Sequence, residues 1–128
     1  MAQYTVFPLI GFDDVKFGMS RSEVRNILGS PEKEFKKSKF SKNTTDDFGD
    51  FHIFYNADDQ FEAVEFFKEA EIQDNKGNIF PKSINDVECL PYKFINDGDS
   101  YINEEYSIGI FAPDNFVESI LFGIKDYY

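Results

Sequence analysis

Val15–Pro31, VKFGMSRSEVRNILGSP, constrains this chain more than any other stretch, because it encodes a helix together with both of its ends. Ser20 is followed three residues later by Glu23, which is the capping-box spacing. In that motif the hydroxyl accepts from an orphan amide of the first turn, and the carboxylate reaches back to the cap's own amide. Val24, Ile27 and Leu28 share one face at i, i+3, i+4 spacing, with Met19 placed to staple beneath them. Gly29 supplies the left-handed cap and Pro31 forbids continuation. A helix of two to three turns is marginal in water, so its apolar face has to dock on something larger.

The rest of the chain offers strands to dock on. Tyr4–Ile10 reads as an edge strand, since Pro8 lacks a ladder donor. After a turn at Gly11–Asp14 and the helix comes EKEFKKSKFSKN, where Phe35 and Phe40 punctuate Lys33, Lys36, Lys37, Lys39 and Lys42. This reads as an edge strand whose lysines deter pairing with other chains. Thr44–Asp50, TTDDFGD, reads as an acidic turn. Phe51–Ala57 alternates, with Phe51, Ile53 and Tyr55 on one face and His52, Phe54 and Asn56 on the other. Phe61–Phe67 returns as its hairpin partner after Asp58-Asp59-Gln60. Phe80–Tyr92 carries a weaker helix signal, with Ser83 and Asp86 at capping-box spacing and Pro91 as its stop. Lys93–Ile95 is extended and Asn96–Ser100 is a turn. Tyr101–Phe111 and Phe116–Asp126 form a last hairpin.

The two halves echo each other. FHIFYNADDQFEAVEFF (Phe51–Phe67) and YSIGIFAPDNFVESILFG (Tyr106–Gly123) match when Phe51 is set against Tyr106, Ile53 against Ile108, Ala57 against Ala112, Asp59 against Asp114 and Phe61 against Phe116. Upstream, Phe17, Ser20, Val24 and Ile27 align with Phe80, Ser83, Val87 and Leu90. The expected fold is therefore α+β. It is one domain over 1–128, built from pseudo-repeats at about 11–72 and 73–128. Each repeat would be a helix plus three strands, and the two would form one curved antiparallel sheet with the short helices on one face.

Charge bears on the partner. The formal net charge is −11, but it is unevenly spread. Residues 1–42 carry eight basic and five acidic side chains, a net of +3, whereas residues 43–128 carry five basic and nineteen acidic, a net of −14. Such a field repels nucleic acid and anionic membranes and speeds encounter with a basic protein. No window approaches the roughly 18 apolar residues of a membrane span. The N-terminus lacks the basic n-region and long apolar stretch of a signal peptide, so the expected compartment is the cytoplasm.

The chemistry-bearing residues are sparse. His52 lies mid-strand between two apolar residues and reads as a half-exposed sheet residue. Cys89, the one cysteine, sits in the apolar context DVECLPY and reads as a small buried hydrophobe. Gly98 is misplaced for a calcium loop in NDGDSYINEE, and neither a phosphate-binding glycine loop nor a nucleophile elbow occurs. The expectation is a non-enzymatic protein with no catalytic residues, no metal and no cofactor.

The segment GFDDVKFGMSRSEVRNILGSP resembles the opening of SmpA/BamE-like modules, in which a hydrophobic–Gly–Met–Ser/Thr run leads to a short helix ending in Leu-Gly and then Pro. The β-lactamase inhibitor protein is similar in layout, and the resemblance implies tandem modules whose sheet face grips another protein. The lipobox cysteine of the envelope lipoproteins is missing, which weakens an outer-membrane assembly role. In its small size, its acidity and its Asp, Phe and Tyr content the chain also resembles bacterial immunity proteins, which neutralise a basic nuclease toxin.

Two readings follow. The first is an inhibitor of the immunity-protein kind that binds a basic cognate toxin through acidic turns and nearby rings. Its expected contact residues are Asp46, Asp47, Phe48, Asp50, Tyr55, Asp58, Asp59, Asp97, Asp99, Tyr101, Glu104 and Glu105. The second is a structural or assembly module of the BamE-like kind. A turn aspartate is ordinarily present for turn geometry, so each cluster also has a purely local explanation.

Overall fold

Both halves of the capping box form. Glu23 N donates to Ser20 Oγ at 3.2 Å, and Ser20 N donates to Glu23 Oε1 at 3.1 Å, opening helix α1 (Arg21–Leu28). Gly29 closes it at φ 89°, its amide donating to Arg25 O at 2.8 Å. Val24 is fully buried and Leu28 half-buried, while Ile27 at the rim of the same face stays exposed. The computed structural model that shows this describes residues 3–36, 38–40 and 43–128, so Lys37 and Lys42 of the lysine-rich segment lie outside the described residues.

The architecture differs from the expected α+β modules. Strand accounts for 42% and helix for 11%, and the strands form two sheets, of four and of eight. The small sheet is built from β1 (Gln3–Phe7), β2 (Gly11–Phe12), β3 (Val15–Lys16) and β8 (Glu71–Asp74), in the order β3-β2-β1-β8. The large one runs β4 (Lys33–Phe35), β5 (Thr45–Asp47), β6 (Phe51–Tyr55), β7 (Phe61–Phe67), β12 (Ser119–Gly123), β11 (Ile108–Phe111), β10 (Ser100–Asn103) and β9 (Ile95–Asp97). Each half thus contributes four strands to the large sheet, not three.

Particular misreadings account for the difference. Thr44–Asp50 holds a buried strand, β5, because its central carboxylate is neutralised by cations from α1. Tyr101–Phe111 is two strands joined by a turn at Glu104–Ser107, where Ser107 takes φ 51°. β1 is not an edge: it pairs antiparallel with β2 and parallel with β8, and Pro8 falls just past its end. Phe80–Tyr92 yields only a six-residue 3-10 helix (Ile84–Cys89), with Ser83 Oγ accepting from Asn85 N and no reciprocal bond from Asp86. Cys89 is exposed there, not buried, since Val87 takes the inward position. Lys33–Phe35 does form an edge strand, as the lysine spacing predicts.

The large sheet repeats across its centre. β7 pairs with β12 so that Ala63 faces Gly123, Glu65 faces Leu121 and Phe67 faces Ser119. The same 56-residue step separates Ala63 from Ser119 and Phe67 from Gly123, so the ladder maps onto itself under an approximate two-fold. Helix-to-strand bridges recur on each side: Phe61 N donates to Met19 O at 2.8 Å, and Val117 N to Lys82 O at 3.0 Å. These contacts make Val117, not Phe116, the counterpart of Phe61; both are buried, while Phe116 is 67% exposed. Likewise Ile53, opposite Val64, corresponds to Ile110, opposite Ile120, and not to Ile108. A β-bulge at Phe54/Tyr55 inserts a residue into the first hairpin, which is why matching the turns by eye misplaces the strands. The first sheet lies outside this relation, because β1–β3 and β8 have no second-half counterparts.

One face of the large sheet carries the core. Phe51, Ile53, Val64, Phe66, Ile108, Ile110, Ile120 and Phe122 join Val6, Phe12, Val15 and Ile72 of the small sheet and Val24 and Val87 of the two helices in a single cluster. Edge-to-face rings dominate its first half, with Phe12 5.2 Å from both Phe51 and Phe66. Such pairs contribute about 0.5–1.5 kcal/mol each beyond the area they bury. Over the other face the chain's last two tyrosines fold back. The Tyr128 hydroxyl occupies the space above Gly109 that a Cβ would fill, and the Tyr127 ring does the same at Gly123. No helix among the described residues is long and apolar enough to cross a membrane.

Candidate functional site

The only two arginines of the chain, Arg21 and Arg25, lie four residues apart on α1 and therefore point the same way. Both reach Asp46 on β5. Arg21 Nη1 donates to its Oδ1 at 2.8 Å; Arg25 donates from Nη2 to Oδ1 at 2.6 Å and from Nε to Oδ2 at 3.0 Å. The Tyr55 hydroxyl completes the set at 2.8 Å. Asp46 is 0% exposed, so this is a fully buried carboxylate satisfied by four donors. Arg21 also lies 4.1 Å from the centre of the Tyr55 ring and holds Asp59 through two bonds, from Nε at 2.9 Å and from Nη2 at 2.8 Å. Arg25 adds Glu34 at 3.1 Å. These bonds to Asp59 and Asp46 raise both guanidinium pKa values, and hold the Asp59 carboxyl below its ordinary 3.8. Burial, then the bond to Asp46, pushes the Tyr55 phenol up.

The expected contact residues of the first half are thereby mostly spoken for. Asp46 and Tyr55 are buried in the cluster and cannot serve as an exposed patch. Asp47 is buried on β5, bonded by Gly49 N at 2.8 Å, and lies 3.6 Å from His52 Nε2. Phe48 is half-buried and stacks on Phe51, and Asp50 accepts from the Tyr4 hydroxyl at 3.2 Å. Asp59 is tied to Arg21 and to Asn43. Asp58 alone of this group is exposed with no side-chain cation paired to it among the described residues.

The second half differs. Asp97, Asp99, Glu104 and Glu105 are all exposed, and among the described residues no cation pairs with any of them. Asp97 lies on β9, a free edge of the large sheet, and Asp99 in the turn to β10, whereas the two glutamates lie in the turn beyond. Tyr101 on β10 points back towards the 3-10 helix and lines a groove of about 670 Å³. Tyr92, Phe94 and Leu90 form the apolar part of that groove, and Glu88, Lys93 and Asn96 its polar part. The Tyr92 wall is fixed: its hydroxyl donates at 2.6 Å to Asp74, a buried carboxylate that also accepts from Asn78 and from the Lys76 and Asn78 amides. Asn103 ties β10 to the Lys93 segment, with Nδ2 donating to Lys93 O at 2.8 Å and Oδ1 accepting from Tyr106 N at 2.7 Å. From Ile84 to Glu105 there are six carboxylates against one lysine, a net of −5.

Of the twelve expected residues only Tyr101 lines this groove; Asp97 and Asp99 lie at one end of β10, and Glu104 and Glu105 lie in the turn at its other end. Sequence reasoning missed Tyr92, Phe94 and Glu88, which the groove adds. The two rings Tyr92 and Phe94 between a helix stop at Pro91 and the turn at Asn96 are a signal that would have found those two, whereas Glu88 lies before the stop and has no such signal. Compared with protein families, curated proteins and solved structures, the chain matches none of them, so its likeness to SmpA/BamE-like modules rests on the residues around α1 alone.

Proposed function

We propose that this chain is a non-enzymatic inhibitor of the immunity-protein kind, which binds a basic, nuclease-like toxin and blocks its functional groove. The observation that supports the reading is the contrast between the halves: Asp46, Asp47 and Asp59 of the first are held by its own cations, whereas Asp97, Asp99, Glu104 and Glu105 of the second face solvent with no cation paired to them among the described residues. Unpaired exposed carboxylates steer a cationic partner, and partly buried rings beside them anchor it once it arrives. Because β9 is an exposed edge strand, the same surface also offers backbone donors and acceptors to an incoming chain.

The test is affinity capture from the source cell with the wild-type chain and with a variant carrying Asp97→Lys, Asp99→Lys, Glu104→Lys and Glu105→Lys. The expected result is a basic protein retained by the wild type and lost by the variant, with an association rate that falls steeply as salt rises. Retention of the same protein by both chains, at any salt, refutes the reading.

A further inference from the structure

The approximate two-fold carries the arginine cluster of the first half onto the groove of the second. The match Ser20–Ser83 sets Arg25 against Glu88, as it sets Val24 against the equally buried Val87. The ladders set Asp46, opposite Ile53, against Tyr101, opposite Ile110, and Glu34, opposite Asp46, against Asn96, opposite Tyr101. The three residues that close the first-half site, Arg25, Asp46 and Glu34, therefore have as counterparts Glu88, Tyr101 and Asn96. All three line the open groove.

The comparison shows what the groove lacks. In the first half two guanidiniums fill the space between helix and strand: Arg25 is bonded to Asp46 and Glu34, and Arg21 is bonded to Asp46 and packed against the Tyr55 ring. In the second half the helix carries a carboxylate instead, the strand carries a ring, and the one cation among the residues that line the groove, Lys93, is exposed. We infer that the groove receives an arginine side chain from a basic protein partner. Its guanidinium would bond Glu88 and Asn96 and lie over the Tyr101 or Phe94 ring. Arginine fits better than lysine, since a planar fork can bond a carboxylate in a bidentate manner while stacking on a ring, whereas an ammonium is a strongly hydrated point charge. This inference rests on the proposed binding of a basic protein and names the anchor within it.

The probes are a hexa-arginine and a hexa-lysine peptide, titrated into the full-length chain by calorimetry and by amide NMR. The expected result is tighter binding of hexa-arginine, with shifts centred on Glu88, Phe94, Asn96 and Tyr101. Glu88→Gln and Phe94→Ser should each weaken hexa-arginine about tenfold, a loss of about 1.4 kcal/mol, and bring it level with hexa-lysine. Both positions lie at the surface of the groove, and circular dichroism checks that the variants fold. If hexa-arginine binds both variants as it binds the wild type, the arginine anchor is refuted; the proposed function survives in that case provided the Asp97, Asp99, Glu104, Glu105 reversal still abolishes capture. If neither peptide binds, the anchor is refuted as well, and loss of the reversal's effect on capture refutes the function separately.

Discussion

Replacing Asp46 by Asn removes the charge at the centre of the arginine cluster while keeping the side chain's shape. Four donors converge on this fully buried carboxylate, two of them from Arg25 and one each from Arg21 and Tyr55. An amide cannot accept all four, because its own NH2 group faces donors. Breaking a buried pair by removing one partner costs about 3–5 kcal/mol. Here the lower end applies: Arg21 keeps Asp59 and Thr44, and Arg25 keeps Glu34 and is 31% exposed at its side chain. A loss of about 3 kcal/mol corresponds to a melting temperature lower by roughly 10–15 °C for a domain of this size. The assay is urea unfolding followed by circular dichroism, with Asp58→Asn as the exposed control, expected to lie within about 0.5 kcal/mol of wild type. Arg25→Met in both backgrounds gives a double-mutant cycle, and its coupling energy should exceed about 1 kcal/mol. An Asp46→Asn protein as stable as the control would refute the reading of the cluster as the clamp between α1 and the sheet.

Three further outcomes are expected. Stability should depend on pH at both ends. Asp59 is held below its ordinary 3.8 chiefly by Arg21, and Asp74 by the Tyr92 and Asn78 bonds that outweigh its burial, so the stabilisation they supply is complete above that value and fades as pH falls through their lowered values. Tyr55 and Tyr92 are raised above 10.0 by burial and then by their carboxylate partners, so their contribution is complete below that value and is lost as pH rises through the raised ones; phenolate absorbance should appear together with unfolding. Among the glycines, Gly123→Ala should destabilise more than Gly109→Ala. The first Cβ meets the Tyr127 ring near its backbone attachment, at 2.6 Å, whereas the second meets only the tip of Tyr128, so thermal melts should rank the two in that order. Cys89, exposed on the 3-10 helix, should react with a thiol reagent in the native protein as fast as it does after unfolding, and a native rate slowed manyfold would contradict its placement.

What was legible in the sequence is what local chemistry specifies. The capping box of α1 and the alternation of Phe51–Tyr55 against Phe61–Phe67 rest on neighbours within one element or one hairpin, and both form at those residues. What was hidden depends on distant partners. β1 and β8 lie nearly seventy residues apart in the chain, and their parallel pairing leaves no mark in either segment. β5 reads as a turn because TTDDFGD is polar, and only the two arginines on α1 make its burial affordable. The same arginines explain why the acidic residues divided as they did. With Arg21 and Arg25 both in the first half, the second half had no guanidinium with which to satisfy its own carboxylates.

The central ladder of the large sheet has a consequence for self-association. A strand pair that maps onto itself is the arrangement by which two identical halves would join as a symmetric dimer. Its axis passes through the Glu65–Leu121 pair. Two copies of β7 meeting in that register would set Glu65 directly against Glu65, a like-charge contact that opposes pairing. In the intact chain Leu121 stands opposite instead, and the Ser119 hydroxyl donates to Glu65 at 2.7 Å. The difference at this one position favours the union of unlike halves within a chain over the exchange of like halves between chains.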